Sequence, residues 1–490
     1  MKRRTLLLLV ALLVMVAVTP ARGVAEGLEF AGEAAGLEEL AGAEGDTALA
    51  VTLEASSGQD TTDLGDGSYE TFASFGAGDS LAVTALDGAI GGLYICWYEV
   101  PDPWTLSYVD AAGVSYEQAC GRGGFLHEYV DLEGSGVTSC TLVFPRGAAA
   151  CTLDAYGSGT PPAGVQVWSP SCERADFLVC STHADDEILW LGGVLATYAG
   201  GRGLSTQVVY MTNYWNADIR REHEKLDGLW AIGVRNYPVD APFEDIYAET
   251  LDYAQEVYDQ DAVTAFFTEQ VRRFKPLVVV CQDFAGEYGH GGHQVLALAV
   301  QGAVDEASDA SFCAESAREY GTWDVPKTYF HLYGENRITL DLHQPIAALG
   351  GMTAIEAQQE AYEKHTSQQW TWFYVSDDPT DPNAEQINCS EFGLYRSTVG
   401  QDTTNDMLEH LTTYEEQDAR AQESEQESVQ DGVPEQAETS GQAQAPEASG
   451  ELSAAAGEAD GGLRIPVYLI ALVIGIVLFF VALLVLLIVH

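Results

Sequence analysis

The segment STHADDEILW, residues 181–190, places one histidine and three carboxylates between two apolar runs. His183 and Asp186 flank a tight turn and could bind one cation together. Asp185 stands between them, where its carboxylate could take a proton from a water molecule that the cation has activated. These are the residue types that metal-dependent hydrolysis would use.

A second loop, DFAGEYGHGGHQ (residues 283–294), carries complementary residues. His293 could supply a third ligand, and two imidazoles with one carboxylate leave positions open for water, as in a catalytic zinc site. The same ligands could bind Fe²⁺, so ligand type alone does not fix the metal. His290, about one helical turn earlier, could stabilise a developing oxyanion or protonate a leaving amine.

Each loop by itself has a simpler interpretation. Acidic residues such as Glu187 are favoured at a helix start by the helix dipole, and most HxxH pairs are surface or core histidines. The joint occurrence of the two loops, each after an apolar strand and each opening a helix, favours metal-dependent hydrolysis over helix capping.

The chain around these loops alternates between strands and helices. The runs DFLVCS, STQVVYMTN and PLVVVCQD are typical of strands, and EILWLGGVLATYAG, ADIRREHEKLDGLWAIGV and GGHQVLALAVQGAVDEA are typical of helices. The alternation predicts an α/β domain over residues 171–400, with a Rossmann-like, mostly parallel sheet and helices on both faces. Sites in such sheets form at the carboxyl ends of the strands, where both loops fall.

A different texture precedes this domain. Residues 26–60 are rich in Ala, Gly and Glu, as in a spacer, and residues 61–170 carry short alternating apolar runs that predict a β-sandwich-like module. Trp97, Tyr98 and Trp104 of that module could stack on sugar rings, but burial in a core is commoner for such side chains.

The two ends of the chain predict export and membrane attachment. Residues 1–25 are typical of a signal peptide, for which the general secretory route is favoured over the twin-arginine route and a retained anchor is the alternative. Residues 411–462 predict a disordered acidic stalk, and residues 465–489 are an apolar run long enough to span a bilayer. The expected location is therefore the outer face of the cell membrane, although Arg464 fits the positive-inside rule poorly. A lipid-anchor signal near residues 453–455 is the alternative.

Composition limits the class of partner. With 74 acidic and 22 basic residues, the formal net charge is −52, which argues against affinity for nucleic acid or anionic lipid. Nine cysteines in an exported chain predict some disulfides. Cys180 and Cys281 end two strands that would be neighbours, and we expect core thiols there, with a cross-strand disulfide as the alternative.

The charged segments resemble a known family. THADDE is similar to the (A/S)HPDDE signature of the PIG-L/LmbE-like zinc-dependent N-acetylglucosaminyl deacetylases, and GEYGHGGHQ is similar to their GHxxH loop. RREHEKLDGLWAIGV and VRRFKPLVVV resemble further segments in the same order, over roughly residues 175–327. Ala184 replaces the usual proline, and Gly291 and Gly292 stand where relatives often carry proline and aspartate.

The resemblance implies a catalytic centre made of five residues. His183, Asp186 and His293 would be the zinc ligands. Asp185 would be the general base, and His290 would be the electrostatic or acid partner.

The resemblance also implies substrate-facing roles for Arg221, Asp283 and Tyr288. Each has a simpler alternative, because Arg221 could pair with its helix neighbours, Asp283 could cap its loop and Tyr288 could only pack. Glu287 and Asp245 are further polar candidates of lower weight.

The activity implied by this resemblance is removal of N-acetyl groups from amino sugars, in a surface glycan or a glycolipid. A non-catalytic glycan-binding protein is one alternative, but such a scaffold has no need for Asp185. An amidase of other acylated amines, using the same zinc site, is the second alternative.

Overall fold

The computed structural model describes residues 47–384 and 386–431. The predicted signal peptide (1–25), the apolar run 465–489 and the stalk beyond residue 431 lie outside the described residues. Among the residues that are described, no helix combines the length and the apolar character that a bilayer span requires.

Two antiparallel sheets come first in the chain. Their strands are β1 (Val51–Ala55), β2 (Ala73–Phe75), β3 (Asp79–Ala85), β4 (Gly92–Trp97), β5 (Trp104–Val109), β6 (Ser115–Cys120), β7 (His127–Asp131), β8 (Ser139–Phe144) and β9 (Ala148–Tyr156). The five-stranded sheet has the order β1-β3-β8-β5-β6, and the four-stranded sheet has the order β2-β9-β4-β7. The spacer predicted for residues 26–60 is wrong at β1, because its alternating sequence VTLEA pairs along its whole length with β3.

The two sheets share a core of large aromatic side chains. Trp97 of β4 and Trp104 of β5 lie with ring centroids 5.7 Å apart, and both indole N–H groups donate to Glu128. Both tryptophans are buried, while Tyr98 is half-buried against Phe72. These rings therefore hold the core, and they do not form the exposed sugar platform that the sequence left open.

A seven-stranded sheet follows. Its strands are β10 (Phe177–Ser181), β11 (Thr206–Asn213), β12 (Val239–Glu244), β13 (Val278–Cys281), β14 (Lys327–His331), β15 (Arg337–Thr339) and β16 (Glu391–Ser397). The order is β12-β11-β10-β13-β14-β16-β15. The first five strands are parallel to one another, and β16 is antiparallel to its neighbours β14 and β15. The prediction of a mostly parallel sheet is confirmed.

Helices cover both faces of this sheet. They are α1 (Asp186–Leu189), α2 (Gly192–Val194), α3 (Ile219–Ala231), α4 (Leu251–Val257), α5 (Gln260–Phe274), α6 (Gly291–Glu306), α7 (Ala314–Tyr320), α8 (Ala354–Glu363) and α9 (Tyr414–Asp431). Alternate residues of β10 enter opposite cores, since Val179 packs in the core shared with α3 and α8, whereas Leu178 packs in the core shared with α5 and α6. Burial on both faces explains the continuous apolar sequences of the parallel strands.

The helix predicted over residues 187–200 is broken. Only α1 and α2 form, and a π-helical stretch, Leu195–Gly200, completes the segment. The amide of Gln358 on α8 donates to the carbonyl oxygens of Ile188 (2.6 Å) and Leu189 (3.0 Å). The side chain of Gln358 therefore occupies carbonyl oxygens that would accept backbone hydrogen bonds in a continuous helix. The local sequence around residues 187–200 does not show this contact.

The start of the predicted stalk is also ordered. Helix α9 begins within the range 411–462, where low complexity predicts disorder. Thr413 and Glu416 exchange hydrogen bonds as a capping box does, and Tyr414 is buried with its hydroxyl donating to the carbonyl of Lys275. The Glu, Gln and Ala residues of α9 also favour a helix once this first turn is anchored.

All nine cysteines lie in described residues and are free thiols. The expectation of disulfides from the cysteine count is therefore not met. Cys180 and Cys281 are buried partners in the parallel register of β10 and β13, which confirms their interpretation as core thiols.

A buried polar cluster joins the antiparallel sheets to α3. His127 of β7 and His223 of α3 lie with Nε2 and Nδ1 2.7 Å apart. Asp227, one turn along α3, accepts hydrogen bonds from the hydroxyl of Tyr69 and the amide of Gln166. These contacts fix the β-rich part against the same helix that carries Arg221.

Candidate active site

Both charged loops leave the carboxyl ends of neighbouring strands. Strand β10 is paired with β11 on one side and with β13 on the other, so the loops after β10 and β13 diverge at a topological switch point. This is where open α/β sheets bind ligands. The side-chain oxygen of Gln282 accepts from the backbone N–H (2.8 Å) and the hydroxyl (2.7 Å) of Thr182, which ties the two loops together.

Three donor atoms converge between these loops. Nδ1 of His183 lies 2.8 Å from Oδ2 of Asp186, Nε2 of His293 lies 3.0 Å from the same oxygen, and the two nitrogens are 3.1 Å apart. In a tetrahedral zinc site with bonds of about 2.0–2.1 Å, ligand atoms stand about 3.3 Å from one another. The triangle therefore fits a small divalent cation with only a slight opening of its edges.

The electrostatics of the triangle favour positive charge. Burial lowers the pKa of His183, but the carboxylates of Asp186 and Asp245 more than offset this effect and raise it to about 10. Oδ1 of Asp245 lies 3.3 Å from Nε2 of His183, on the side of the ring opposite the triangle. A carboxylate in this position fixes the orientation of a metal-binding imidazole.

The three histidines of the two loops form a second possible ligand set. The ligand atoms of His183, His290 and His293 all lie within 4.8 Å of one another. Asp186 approaches the other two ligands more closely, at 2.8 and 3.0 Å, so the set with the carboxylate is the tighter one. This leaves His290 free to face a substrate.

Asp185 adopts a strained backbone conformation beside the triangle. Its φ of 125° is rare for a residue with a side chain. Oδ1 lies 3.3 Å from a guanidinium nitrogen of Arg221. Burial raises the pKa of Asp185 to about 7, although Arg221 acts to lower it. A carboxyl group with such a pKa can both accept and return a proton near neutral pH.

Arg221 projects from α3 into the same site. It donates to the carbonyl oxygen of Ala184 at 2.5 Å, and its guanidinium lies 4.0 Å from the ring centroid of Tyr214. Its acidic partners are Asp185 and Asp245, at 3.3 and 4.0 Å, which lie outside α3. Arg221 therefore belongs to the site, and a surface pair with its helix neighbours is not what forms.

His290 caps the start of α6 and faces the triangle. Its ring centroid lies 5.0 Å from that of His183 and 4.6 Å from that of His293. Burial lowers the pKa of His290 to about 3, and the neighbouring histidines act in the same direction. The first glycine that follows is required by space, because a Cβ on Gly291 would lie 2.1 Å from the carbonyl oxygen of Thr250. A Cβ on Gly292 would lie 3.1 Å from the His290 ring.

A cavity of about 530 Å³ opens onto this group of residues. It is lined by His183, Asp185, Asp186, Arg221, Asp245, Tyr247, Tyr288, His290, Gln368, Trp370, Thr371, Trp372 and Phe373. The structure thus brings together the predicted base, the histidine partner, Arg221 and Tyr288 at one opening.

Asp283 is not among the residues that line this cavity. Its backbone N–H donates to Oε1 of Glu287, and Oε2 of Glu287 lies 2.7 Å from Nδ1 of buried His331. Glu287 therefore connects the second loop to His331 of β14. Asp283 contributes to the loop through its backbone N–H, which agrees with the alternative that it only caps the loop.

Gln368, residues 370–373 and Tyr247 line the site and were not selected from the sequence. The only sequence signal for this segment is the density of aromatic residues in QQWTWFY. Nothing in local periodicity connects it with His183, almost two hundred positions earlier.

Two curated relatives are deacetylases. The 1D-myo-inositol 2-acetamido-2-deoxy-alpha-D-glucopyranoside deacetylase 2 of Saccharopolyspora erythraea is 29% identical over 178 residues, which are 31% of this chain and 64% of the relative. The corresponding deacetylase 1 of Catenulispora acidiphila is 27% identical over 206 residues, which are 36% of this chain and 61% of the relative. The resemblance to the PIG-L/LmbE-like deacetylases is confirmed. The matches span somewhat less than two thirds of the length of either relative.

No family model matches the chain. Among solved structures, the N,N'-diacetylchitobiose deacetylase of Pyrococcus horikoshii is similar, at 18% identity and a TM-score of 0.32. That match covers 40% of this chain and 71% of the other.

Proposed function

We propose that this protein is a metal-dependent amide hydrolase that removes N-acetyl groups from amino sugars of the N-acetylglucosaminyl type. One observation carries the proposal: the donor atoms of His183, Asp186 and His293 converge to within 3.1 Å, with Asp185 beside them in an open cavity. The similarity to relatives named as deacetylases of an acetamido-glucopyranoside supports the substrate class.

The cation proposed for this site is Zn²⁺, and Fe²⁺ is the alternative that the same ligands would accept. When bound, such a cation polarises the acetyl carbonyl and makes water more acidic. His183, Asp186 and His293 would hold it from the protein side and leave the cavity side open to substrate.

The chain's own side chains carry the proton transfers. Asp185 accepts the proton of the attacking water, and Arg221 holds the Asp185 carboxylate in place at 3.3 Å. His290, at the cavity wall, can donate a hydrogen bond from its neutral ring to the carbonyl oxygen as negative charge develops there. Asp185 then returns its proton to the amine nitrogen. The C–N bond breaks after the water oxygen has bonded to the acetyl carbon, so that acetate and a free amine leave.

The test is acetate release by the full chain from N-acetylglucosamine and from its inositol conjugate. Activity should disappear after metal removal with a chelator and return when Zn²⁺ is added. Asp185→Asn should lower kcat by about a thousandfold and keep its bound metal, since Asp185 is not one of the three proposed ligands.

Asp227→Asn is the matched control, because it makes the same substitution at a half-buried carboxylate that lines no part of the cavity. Acetate release that survives complete metal removal, or full activity of Asp185→Asn, would contradict the proposal. Metal-dependent hydrolysis of other acylated amines, without acetate release from the amino sugars, would support the metal site and contradict the proposed substrate class.

We also propose that the site works outside the cytoplasm, on a chain tethered by residues 465–489. The support is the apolar character of residues 465–489 and the signal-like residues 1–25. Protease added to intact cells should then degrade residues 47–431. Complete protection of those residues, with degradation only after lysis, would contradict this location.

A further inference from the structure

Exposed aromatic side chains rim the catalytic cavity. Trp370 and Trp372 follow the short turn Thr366–Gln368, and Tyr247 follows β12. Trp370 is 82% exposed, Tyr247 is 67% exposed and Trp372 is 46% exposed. Several large aromatic rings exposed to solvent around one opening are typical of a binding surface.

The segment that carries Trp370 is tied down by α3. The carboxylate of Glu224 accepts hydrogen bonds from the hydroxyl of Thr366 at 2.5 Å and from the backbone N–H of Ser367 at 2.8 Å. The exposure of Trp370 therefore arises on a fixed turn. The turn that leads to Trp370 is thus pre-organised for a ligand.

The rings of this segment differ in their neighbours. Phe373 packs on Trp190 and Tyr288, with centroids 5.6 and 5.0 Å apart, and Trp372 packs on Phe373 at 4.4 Å. Among the described residues, no other aromatic ring stacks on Trp370. The indole face of Trp370 is thus available to a ligand ring.

The chemistry between the rings suits a sugar better than a lipid. Gln368 and Thr371 line the same cavity and supply amide and hydroxyl groups next to the indoles. A sugar ring presents C–H groups on its faces and hydroxyls at its edge, which matches this alternation. Asp245 in the cavity, with Asp377 and Asp378 just beyond it, would repel an anionic lipid surface.

Another cavity has a wall residue in common with the catalytic one. A second cavity, of about 750 Å³, shares Tyr288 with the first. Its walls include Gln386, Asn388 and Ser390, which can hydrogen-bond to hydroxyls. A sugar placed in this second cavity would therefore meet polar partners.

We propose that Trp370 and Trp372 bind the sugar next to the N-acetylated one, so that the substrate is an oligosaccharide that contains N-acetylated amino sugars. This proposal rests on the proposed function, because it assigns a substrate class to the same site. Further sugars of the chain would extend toward the cavity beyond Tyr288.

The test compares N-acetylglucosamine with its β-1,4-linked dimer and tetramer, using the metal-loaded full chain. We expect kcat/KM to rise about tenfold or more from monomer to tetramer. Trp370→Ala should lower kcat/KM for the tetramer about threefold to tenfold more than for the monomer, because ring contacts of this kind have that strength. Trp370→Phe should recover most of the loss.

Phe72→Ala is the matched control, since Phe72 is a partly exposed aromatic residue that lines neither cavity. It should leave the dependence on chain length as it is. Equal kcat/KM for monomer and tetramer would overturn the oligosaccharide proposal and leave the deacetylase function standing.

Tryptophan fluorescence gives a readout that does not need turnover. The tetramer should bind the unmodified chain more tightly than Trp370→Ala, and equal affinity, or no binding by either, would overturn the proposal. Tetramer binding without acetate release from any length would contradict the proposed function alone. Binding to phosphatidylcholine vesicles that Trp370→Ala removes, without tetramer binding, would assign the rim to a lipid surface and overturn the proposal.

Discussion

Oε2 of Glu187 accepts a hydrogen bond from the backbone N–H of Asp185 at 2.9 Å. This bond holds Asp185 at its φ of 125°, a conformation that persists only when the surroundings enforce it. Glu187 is itself fully buried. Its carboxylate thus positions the proposed base, in addition to opening α1 as the sequence predicts.

Glu187→Ala would leave the Asp185 N–H buried without this acceptor, at a cost of about 1–3 kcal/mol. We expect kcat to fall about tenfold to a hundredfold, as it does when an orienting partner of a metal site is lost. Glu187→Gln keeps an acceptor oxygen and should retain most of the activity. Measured kcat values that are equal in the two variants would show that Glu187 does not position Asp185.

Gly291→Ala tests the packing of the second loop. The added Cβ would lie 2.1 Å from the carbonyl oxygen of Thr250, so the start of α6, with His293, must move. We expect a loss of about 1–3 kcal/mol in unfolding free energy and a loss of bound metal. Gly334→Ala is the control, because its Cβ would meet nothing within 4 Å. Thermal unfolding at the same temperature in both variants would refute the packing argument.

Asp227 predicts a specific dependence of stability on pH. Burial raises its pKa to about 7, against hydrogen bonds from Tyr69 and Gln166 that lower it, while the ordinary value is 3.8. The folded chain therefore holds the proton more tightly than the unfolded chain, and this group lowers the unfolding free energy as pH rises from about 4 to about 7.

Asp227→Asn keeps the acceptor oxygen and lacks the charge. Relative to the unmodified chain, the variant should gain about 2 kcal/mol of unfolding free energy between pH 4 and pH 8. This is less than the full shift implies, because the Asp227 side chain is 22% exposed. Urea unfolding across that range is the measurement, and parallel pH profiles for the two proteins would contradict the assignment.

The parallel sheet and its two charged loops could be predicted from the sequence, because the local residue pattern and the burial agree there. The apolar runs before His183 and Asp283 are buried on both faces, and their continuous apolar sequence therefore predicts parallel strands. The loops that follow parallel strands meet at one edge of the sheet. The convergence of His183, Asp186 and His293 follows from that geometry.

The remaining features depend on contacts between distant segments. Gln358 interrupts the helix that follows Asp185, and Glu224 fixes the turn that presents Trp370 to the cavity. Neither contact leaves a periodic signal in the chain. For the same reason the requirement for Gly291 is visible only once Thr250 lies against it.

The most direct test of the central claim is the metal content of the purified full chain and of Asp186→Asn, with Asp227→Asn as the matched control. The convergence of His183, Asp186 and His293 predicts about one divalent ion in the unmodified chain and in the control. It predicts a metal affinity at least about tenfold lower in Asp186→Asn. Equal metal content and affinity in all three proteins would contradict the assignment of this triangle as the metal site.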